Sequence, residues 1–310
     1  MNYFMAVLPK MSGFFLLVLI GLTAVKTRII KKEAMPSLSS FLIRIILPAL
    51  TISLILKNGT TFFTIAEYGR IAVAQFLMYM LLAAAGVLGS KICRLEGTMR
   101  NIYCGCSIGG NYGFLVIPLI MTLFQDQGGS AYIPICSVVD TTVVWTLGFS
   151  LFTKGINEKE NPWKKILLNP ILISIVIGLC LTSFQIPVPD TALNVINSVG
   201  DSSYSLGLIY LGCSLGFMNP RNILKYRSIL LLSAVKLFIL PLIVYKTALI
   251  FLPRTECLIL MLICAAPSMT TSCMIAGEYH LDEEYASAVV VATTLFCMLL
   301  IPVLFLLISL

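Results

Sequence analysis

Apolar residues in this chain gather into runs of about 20, separated by short stretches that carry most of the charge. Ten such runs can be read near 5–25, 36–56, 70–90, 101–124, 129–153, 166–184, 200–218, 227–251, 257–278 and 284–308. A helix rises about 1.5 Å per residue, so each run is long enough to cross roughly 30 Å of hydrocarbon. In lipid every backbone N–H and C=O must be satisfied inside the protein, which makes helix the expected conformation of each span. The pattern therefore predicts an all-α membrane protein with ten transmembrane helices.

The charged stretches give the expected orientation. Lys26, Arg28, Lys31 and Lys32 follow the first run, and Lys91, Arg94 and Arg100 the third. Lys154, Lys159, Lys164 and Lys165 follow the fifth, and Arg221, Lys225 and Arg227 the seventh. The alternate loops hold only Lys57, Arg70 and Arg254. Basic residues in short loops stay cytoplasmic, so both termini are expected outside, in a multi-pass protein of the plasma membrane. The acidic turn Glu278 to Glu284 leaves this unchanged, because acidic residues weigh little in the rule.

Ten runs divide as five plus five. Val138-Val139-Asp140-Thr141-Thr142 in the fifth is echoed by Val290-Val291-Ala292-Thr293-Thr294 in the tenth. The first and sixth share a looser likeness, Phe14 to Leu22 against Ile171 to Leu179. Five is odd, so consecutive five-helix units enter the membrane from opposite sides and form an inverted repeat, an architecture of alternating-access transporters. The expected division is a first repeat at 1–153, a cytoplasmic linker at 154–165 and a second repeat at 166–310.

Two runs are interrupted. The fourth contains Gly109-Gly110-Asn111-Tyr112-Gly113-Phe114-Leu115-Val116-Ile117-Pro118, and the ninth Ala265-Ala266-Pro267-Ser268-Met269-Thr270-Thr271-Ser272. Proline has no N–H, so Pro118 and Pro267 strip a partner from the carbonyls of Phe114 and Ile263. Either segment alone reads equally well as a packing kink; their matching place in the two halves favours broken, functional helices. Asn111, Asp140, Lys236 and Pro267 each lie nine to eleven residues into their runs, which puts them in one layer near the bilayer midplane. A charge there is costly unless it meets a partner or a cavity. Asp140 and Lys236 either form a structural ion pair, or Asp140 couples a proton or sodium ion while Lys236 helps hold an anion. Arg44, nearer a membrane face, is expected to snorkel.

Composition agrees with this reading and excludes others. Of 310 residues 58% are hydrophobic and 11% charged, against about 25% charged in a soluble domain, and the mean hydropathy is +0.97. The topology accounts for the +7 net charge, so no nucleic-acid partner is implied. Met1 to Pro9 lacks the basic region of a signal peptide and is expected to remain in the mature chain. The ten cysteines lie almost entirely within apolar runs, without disulfide or metal-site spacing, and no cofactor or metal is expected. His280, in the acidic turn, is expected to be solvated. One layer of polar groups does not line a channel, and Asp140 has no deep second aspartate of the kind an intramembrane protease needs. A membrane receptor or structural protein leaves the matched breaks unexplained.

The runs GGNYGFLVIPL (Gly109 to Leu119), AAPSMTTSCMIAGEY (Ala265 to Tyr279) and ASAVVVATTLFCMLLIP (Ala286 to Pro302) resemble the auxin efflux carrier family. That family includes the plant PIN-type auxin transporters and bacterial malate and malonate permeases. The resemblance implies a fold like that of bile acid:sodium symporters, with broken helices 4 and 9 crossing near the midplane, and elevator-type alternating access. In that motion helices three to five and eight to ten move against helices one, two, six and seven. Asn111 and Pro118 match the crossover positions of the fourth helix, and Pro267 falls at the break of the ninth. Thr270, Thr271 and Ser272 stand where a second proline or an asparagine is expected. The short linker makes a bacterial carboxylate carrier the closer analogy, in a bacterial inner membrane.

The expected substrate is a small organic anion, a mono- or dicarboxylate such as malate or malonate, or an auxin-like acid. A sodium-coupled bile-acid-like symporter is the alternative. The candidate substrate-binding residues are Asn111, Gly113, Pro118, Thr141, Thr142, Lys236, Pro267, Ser268, Thr270 and Thr271, with Asp140 for ion coupling. The other expected partner is the lipid bilayer, and a homodimer is compatible with the reading. The topology predicts that a cysteine placed at position 160 of a cysteine-free variant will resist an impermeant thiol reagent applied from outside. Labelling there would overturn the orientation.

Overall fold

The computed structural model describes residues 3–63, 68–124, 128–156, 168–217 and 226–309. Apart from a single isolated bridge, the described residues are helical or connecting segments. The helices are α1 (Tyr3–Lys26), α2 (Met35–Phe41), α3 (Leu47–Asn58), α4 (Gly69–Ile92), α5 (Gly97–Ile108), α6 (Ile117–Leu123), α7 (Ile133–Val143) and α8 (Phe149–Phe152). They continue as α9 (Pro170–Ser183), α10 (Asp190–Phe217), α11 (Arg227–Ala234), α12 (Leu240–Ala248), α13 (Arg254–Cys264), α14 (Thr271–Glu278) and α15 (Glu283–Ser309). Five continuous helical stretches among the described residues are long and apolar enough to cross a membrane: Lys32–Asn58, Gly69–Ile92, Ile135–Phe152, Arg227–Ala248 and Glu283–Ile308. Leucines, isoleucines, valines and phenylalanines such as Leu19, Val73, Phe76, Leu88, Val176, Ile243 and Leu299 face outward along the helices. In water that surface would be a liability; against acyl chains it is the expected outer face.

Several of the long stretches owe their continuity to wide π turns. At Leu42–Ile46, Tyr112–Val116 and Val235–Ile239 the closing N–H, of Leu47, Ile117 or Leu240, bonds to the carbonyl five residues back. Each is followed by a proline one residue later, Pro48, Pro118 or Pro241. Proline cannot donate to the carbonyl four residues back, and a local π register lets the helix run on past the missing donor. Pro118 is therefore not the break expected from the sequence: it lies in the first turn of α6, in a helical run that begins at Tyr112. The break of the fourth run is at Gly109–Asn111. The seventh run also differs from expectation, since its helix starts at Asp190 and not near residue 200. Of the expected linker at 154–165, residues from 157 onward lie outside the described residues.

Packing falls into two groups. Helices α1, α3, α9 and α10 pack most densely on one another, α1 with α10 and α3 with both α9 and α10. In the other group α4 packs on α5 and α7, α12 on α13, and α15 on α5, α11 and α14. The α1–α10 contact is close because glycine faces glycine. A Cβ on Gly21 would strike the Ile209 carbonyl and one on Gly212 the Val18 carbonyl, the small-residue contact that lets membrane helices approach backbone to backbone. The groups meet where α15 packs on α10 and α1, where α7 packs on α3, and, through α2, where α14 packs on it. There Glu278 accepts hydrogen bonds from Ser40 and from Arg44, whose Nε lies 3.0 Å from Oε1. Arg44 is thus half of an ion pair as well as a partly solvated side chain.

Candidate substrate site

The two interrupted runs meet. Helix α5 ends at Ile108 and α13 at Cys264, and each is followed by a non-helical segment, 109–111 and 265–270. The segments run antiparallel, with Gly110 opposite Ser268. The N–H of Asn111 donates to the carbonyl of Pro267 at 2.8 Å, and that of Met269 to the carbonyl of Gly109 at 3.1 Å. Gly110 leaves the approach open, since an added Cβ would already sit 3.0 Å from the Cβ of Ala266. Two backbone bonds thus satisfy groups that both helices lose by breaking.

The remaining polar groups at the crossing are met from neighbouring helices. Lys236, carried on the π turn Val235–Ile239 and 1% exposed, donates from Nζ to the carbonyls of Cys106 at 2.7 Å and Gly109 at 2.8 Å. These carbonyls end α5, where the helix dipole is negative. The Cys106 carbonyl also accepts from Ser268 Oγ at 3.0 Å. The Ser268 N–H donates to Thr293 Oγ1 at 3.1 Å, and the Thr293 hydroxyl lies 2.8 Å from the Val289 carbonyl. Thr293 is the counterpart of Thr141 in the repeat read from the sequence, so each helix of that pair brings a threonine to this region.

Beside the crossing lies a cavity of about 100 Å³, lined by Gly110, Asn111, Tyr112, Gly113, Asp140, Thr141, Met269, Thr270 and Thr271, with Leu47, Thr51 and Trp145 among its other walls. A single water needs about 10–15 Å³ on this measure, so the space suits a molecule of several heavy atoms. The helical run starting at Tyr112 presents its first N–H groups here, with their positive dipole end. Asp140 is partly buried and accepts a hydrogen bond from Tyr79. Tyr79 is 1% exposed and stands one helical turn from Gln75, whose amide donates to the Cys136 carbonyl at 3.0 Å.

Of the residues singled out from sequence, Asn111, Gly113, Asp140, Thr141, Thr270 and Thr271 line the cavity. Pro267 and Ser268 build the crossing behind it. Pro118 sits two residues beyond the π turn, and Thr142 is exposed on another face of its helix. Lys236 is buried against carbonyls and does not line the cavity. The ion pair weighed between Asp140 and Lys236 is not formed: among the described residues the ion pairs are Arg44–Glu278 and Lys57–Asp201. Sequence reasoning passed over Gln75 and Tyr79, although two polar side chains four apart in an apolar run share one helix face and were a readable signal. The described residues hold no cluster of three metal-ligating side chains, and all ten cysteines are free.

The profile of the membrane transport protein family matches residues 6–305, nearly the whole chain. The chain belongs to that family. Its members are transporters and not enzymes, which agrees with the motif likeness to auxin efflux carriers. An uncharacterized transporter of Methanocaldococcus jannaschii is 24% identical over 295 residues, spanning 92% of this chain and 94% of its own. The protein is accordingly a multi-pass membrane transporter, and a transporter needs a place for a small substrate within the membrane.

Because Asp140 and Lys236 have separate partners, neutralising one will not relieve loss of the other. Lys236→Met removes one donor from each of two buried carbonyls, Cys106 keeping the Ser268 hydroxyl and Gly109 the Met269 N–H, a loss of about 1–3 kcal/mol each at most, and should lower the melting temperature in detergent. Adding Asp140→Asn should not restore it. A double variant more stable than Lys236→Met would mean that the two charges do pair.

Proposed function

We propose that this transporter is a secondary carrier of a small organic anion, a mono- or dicarboxylate such as malate or malonate or an auxin-like acid, bound at the helix crossing. The carrying observation is the cavity in which the first N–H groups of a half-helix, Asn111, and the hydroxyls of Thr141, Thr270 and Thr271 converge. Backbone N–H groups at a positive helix end are a site for a carboxylate, and a discontinuous membrane helix is the usual way to bring one to mid-depth. Asp140, facing the same space and held by Tyr79, is the coupling residue. A carboxylate beside an anion site repels the substrate when ionised and tolerates it when neutralised, which links substrate occupancy to cation uptake.

The fold proposed with this function has ten transmembrane helices in two inverted five-helix repeats, like the bile acid:sodium symporters. The matched breaks at 109–111 and 265–270 support it, as do the helical segments over all ten apolar runs. The two packing groups support the elevator: the first contains spans one, two, six and seven, and the second contains the crossing. The Lys57–Asp201 pair joins the last turn of α3, which the proposed topology puts at the outer side, to a position eleven residues into α10. Arg44, Asn169 and Glu278, around a second cavity, belong to stretches it puts inside. Both termini are then external, in a bacterial inner membrane.

Proteoliposomes offered a panel of labelled mono- and dicarboxylates, with and without proton and sodium gradients, test the reading. Gradient-dependent uptake of at least one acid is expected, and none for any acid counts against it. In the responding case Asp140→Asn should abolish gradient-driven uptake and spare substrate exchange, which need not cycle the empty carrier; equal loss of both would remove Asp140 from coupling. Asn111→Ala should weaken substrate binding about ten- to a hundredfold, the loss of one hydrogen bond to a charged group at about 1.5–3 kcal/mol. Unchanged affinity in the folded variant would move the site elsewhere.

A further inference from the structure

We propose that Lys236 is a tethered counter-cation: its ammonium fills a backbone-carbonyl site at the helix crossing that an alkali metal ion would otherwise occupy, and the carrier therefore works without sodium. The inference builds on the proposed transport function and narrows its coupling ion to the proton.

Its basis is the set of atoms around Nζ. The Cys106 and Gly109 carbonyls lie 2.7 and 2.8 Å away, and Ser268 Oγ shares the Cys106 carbonyl at 3.0 Å. The two carbonyl oxygens at Nζ are uncharged, the ligand type that hard alkali and alkaline-earth cations take, and each also accepts a second donor, the Ser268 hydroxyl at Cys106 and the Met269 N–H at Gly109. Both carbonyls sit at the negative end of α5, and unwound carbonyls and half-helix C-termini are where discontinuous membrane helices hold coupling cations. A lysine ammonium supplies the same single positive charge with directed donors. Lys236 is 1% exposed and, among the described residues, has no carboxylate within ion-pairing distance. Its charge is thus balanced by carbonyl dipoles, as a bound metal ion's would be. The delivery is local: the π turn before Pro241 rotates this stretch of the eighth run and holds Lys236 against the end of α5.

Because the cation is covalently part of the chain, it cannot leave when the crossing changes sides. A diffusible sodium ion at this place would be released on each cycle and would make transport sodium-dependent. With Lys236 in place that dependence is absent, and Asp140, which receives a hydrogen bond and not a metal-ligand set, is left to take up a proton.

The test uses the purified full-length protein in detergent without substrate, so its outcome does not depend on which acid is carried. Melting temperatures are compared in sodium, potassium and choline chloride at equal ionic strength. The wild type should melt at one temperature in all three. Lys236→Ala, which empties the site but leaves its oxygens, should melt several degrees higher in sodium than in choline. The shift should grow with the logarithm of sodium concentration, as linkage to a vacated site requires. Saturable stabilisation of the wild type by sodium would overturn the proposal, and so would a folded Lys236→Ala indifferent to all three salts. If Lys236→Ala folds in none of them, Lys236→Gln, whose amide can still donate to one carbonyl, takes its place: a sodium-dependent rise upholds the proposal and indifference overturns it. If that too fails to fold, sodium-driven uptake by the wild type would overturn the proposal, and proton-driven uptake indifferent to sodium would uphold it. Failure of the salt response leaves the anion site standing, and a negative transport panel leaves the salt response standing.

Discussion

The structure depends on one constraint, that a broken helix inside a membrane must find new partners for its backbone. An unsatisfied N–H or C=O in hydrocarbon costs several kcal/mol, more than any single side-chain contact repays. Breaking two helices at the same place lets each supply what the other lacks. Asn111 and Pro267, and Met269 and Gly109, exchange backbone bonds across the crossing, and Lys236, Ser268 and Thr293 meet groups those bonds do not reach. The free N–H groups of the helical run from Tyr112 are then an exception, and the cavity beside them is where a ligand can satisfy them. Ser272 Oγ and Gln75 Oε1 are also buried without a partner among the described residues, and the proposed site rests on the helix end that the exchanged bonds leave open.

Four helices feed that scheme, which explains why chemistry-bearing residues far apart in sequence converge. Lys236 and Asp140 lie in different runs, and each reaches the crossing region from a helix with a π turn in its run, Val235–Ile239 in one case and Val144–Gly148 in the other. A π turn adds a residue to one turn and rotates everything beyond it. Lys236 lies inside its π turn, and there the turn holds the side chain against the end of α5, while Asp140 lies four residues before the other.

Much of this was legible in the sequence because lipid imposes a simple code. The length of the apolar runs marked the helices, the Gly-Gly-Asn and Ala-Pro-Ser clusters marked the interruptions, and the matched places of those clusters marked the meeting point. What was not legible depended on register. Pro118 reads as a helix breaker, but the π turn before it absorbs the missing donor, and the break falls at Gly109–Asn111, where glycine and asparagine tolerate non-helical backbone. Lys236 reads as a ligand for an anion or a partner for Asp140, because sequence gives its approximate depth without its direction. Only the rotation at Val235–Ile239 shows that it faces carbonyls. Arg44 reads as a snorkelling residue, and its buried partner Glu278 lies 234 positions away, a distance at which no helical period carries information.

The cavity is not equally close to the two ends of the molecule. Toward Asn58 and Thr60 its walls continue without interruption, because Thr51, Leu54, Ser137 and Thr141 also line a smaller space that reaches those residues. Toward Glu278 the wall changes within one helical turn: Leu47 and Trp145 face the cavity, while Ile43, Arg44 and Phe149 face a separate space beyond. Trp145 and Phe149 pack with ring centroids 6.1 Å apart, and Phe149 meets Tyr279 edge-on at 5.5 Å. The Arg44–Glu278 pair lines the same far space and joins α14 to the π turn that links α2 to α3. An aromatic layer backed by an ion pair thus separates the site from one end, and nothing comparable stands between it and the other among the described residues. An exposed ion pair is worth little, but this carboxylate is 9% exposed and also bonded to Ser40, so parting it leaves a buried charge to be rehydrated. Under the proposed motion of the crossing relative to α2, that rehydration is a cost of opening toward the Glu278 end.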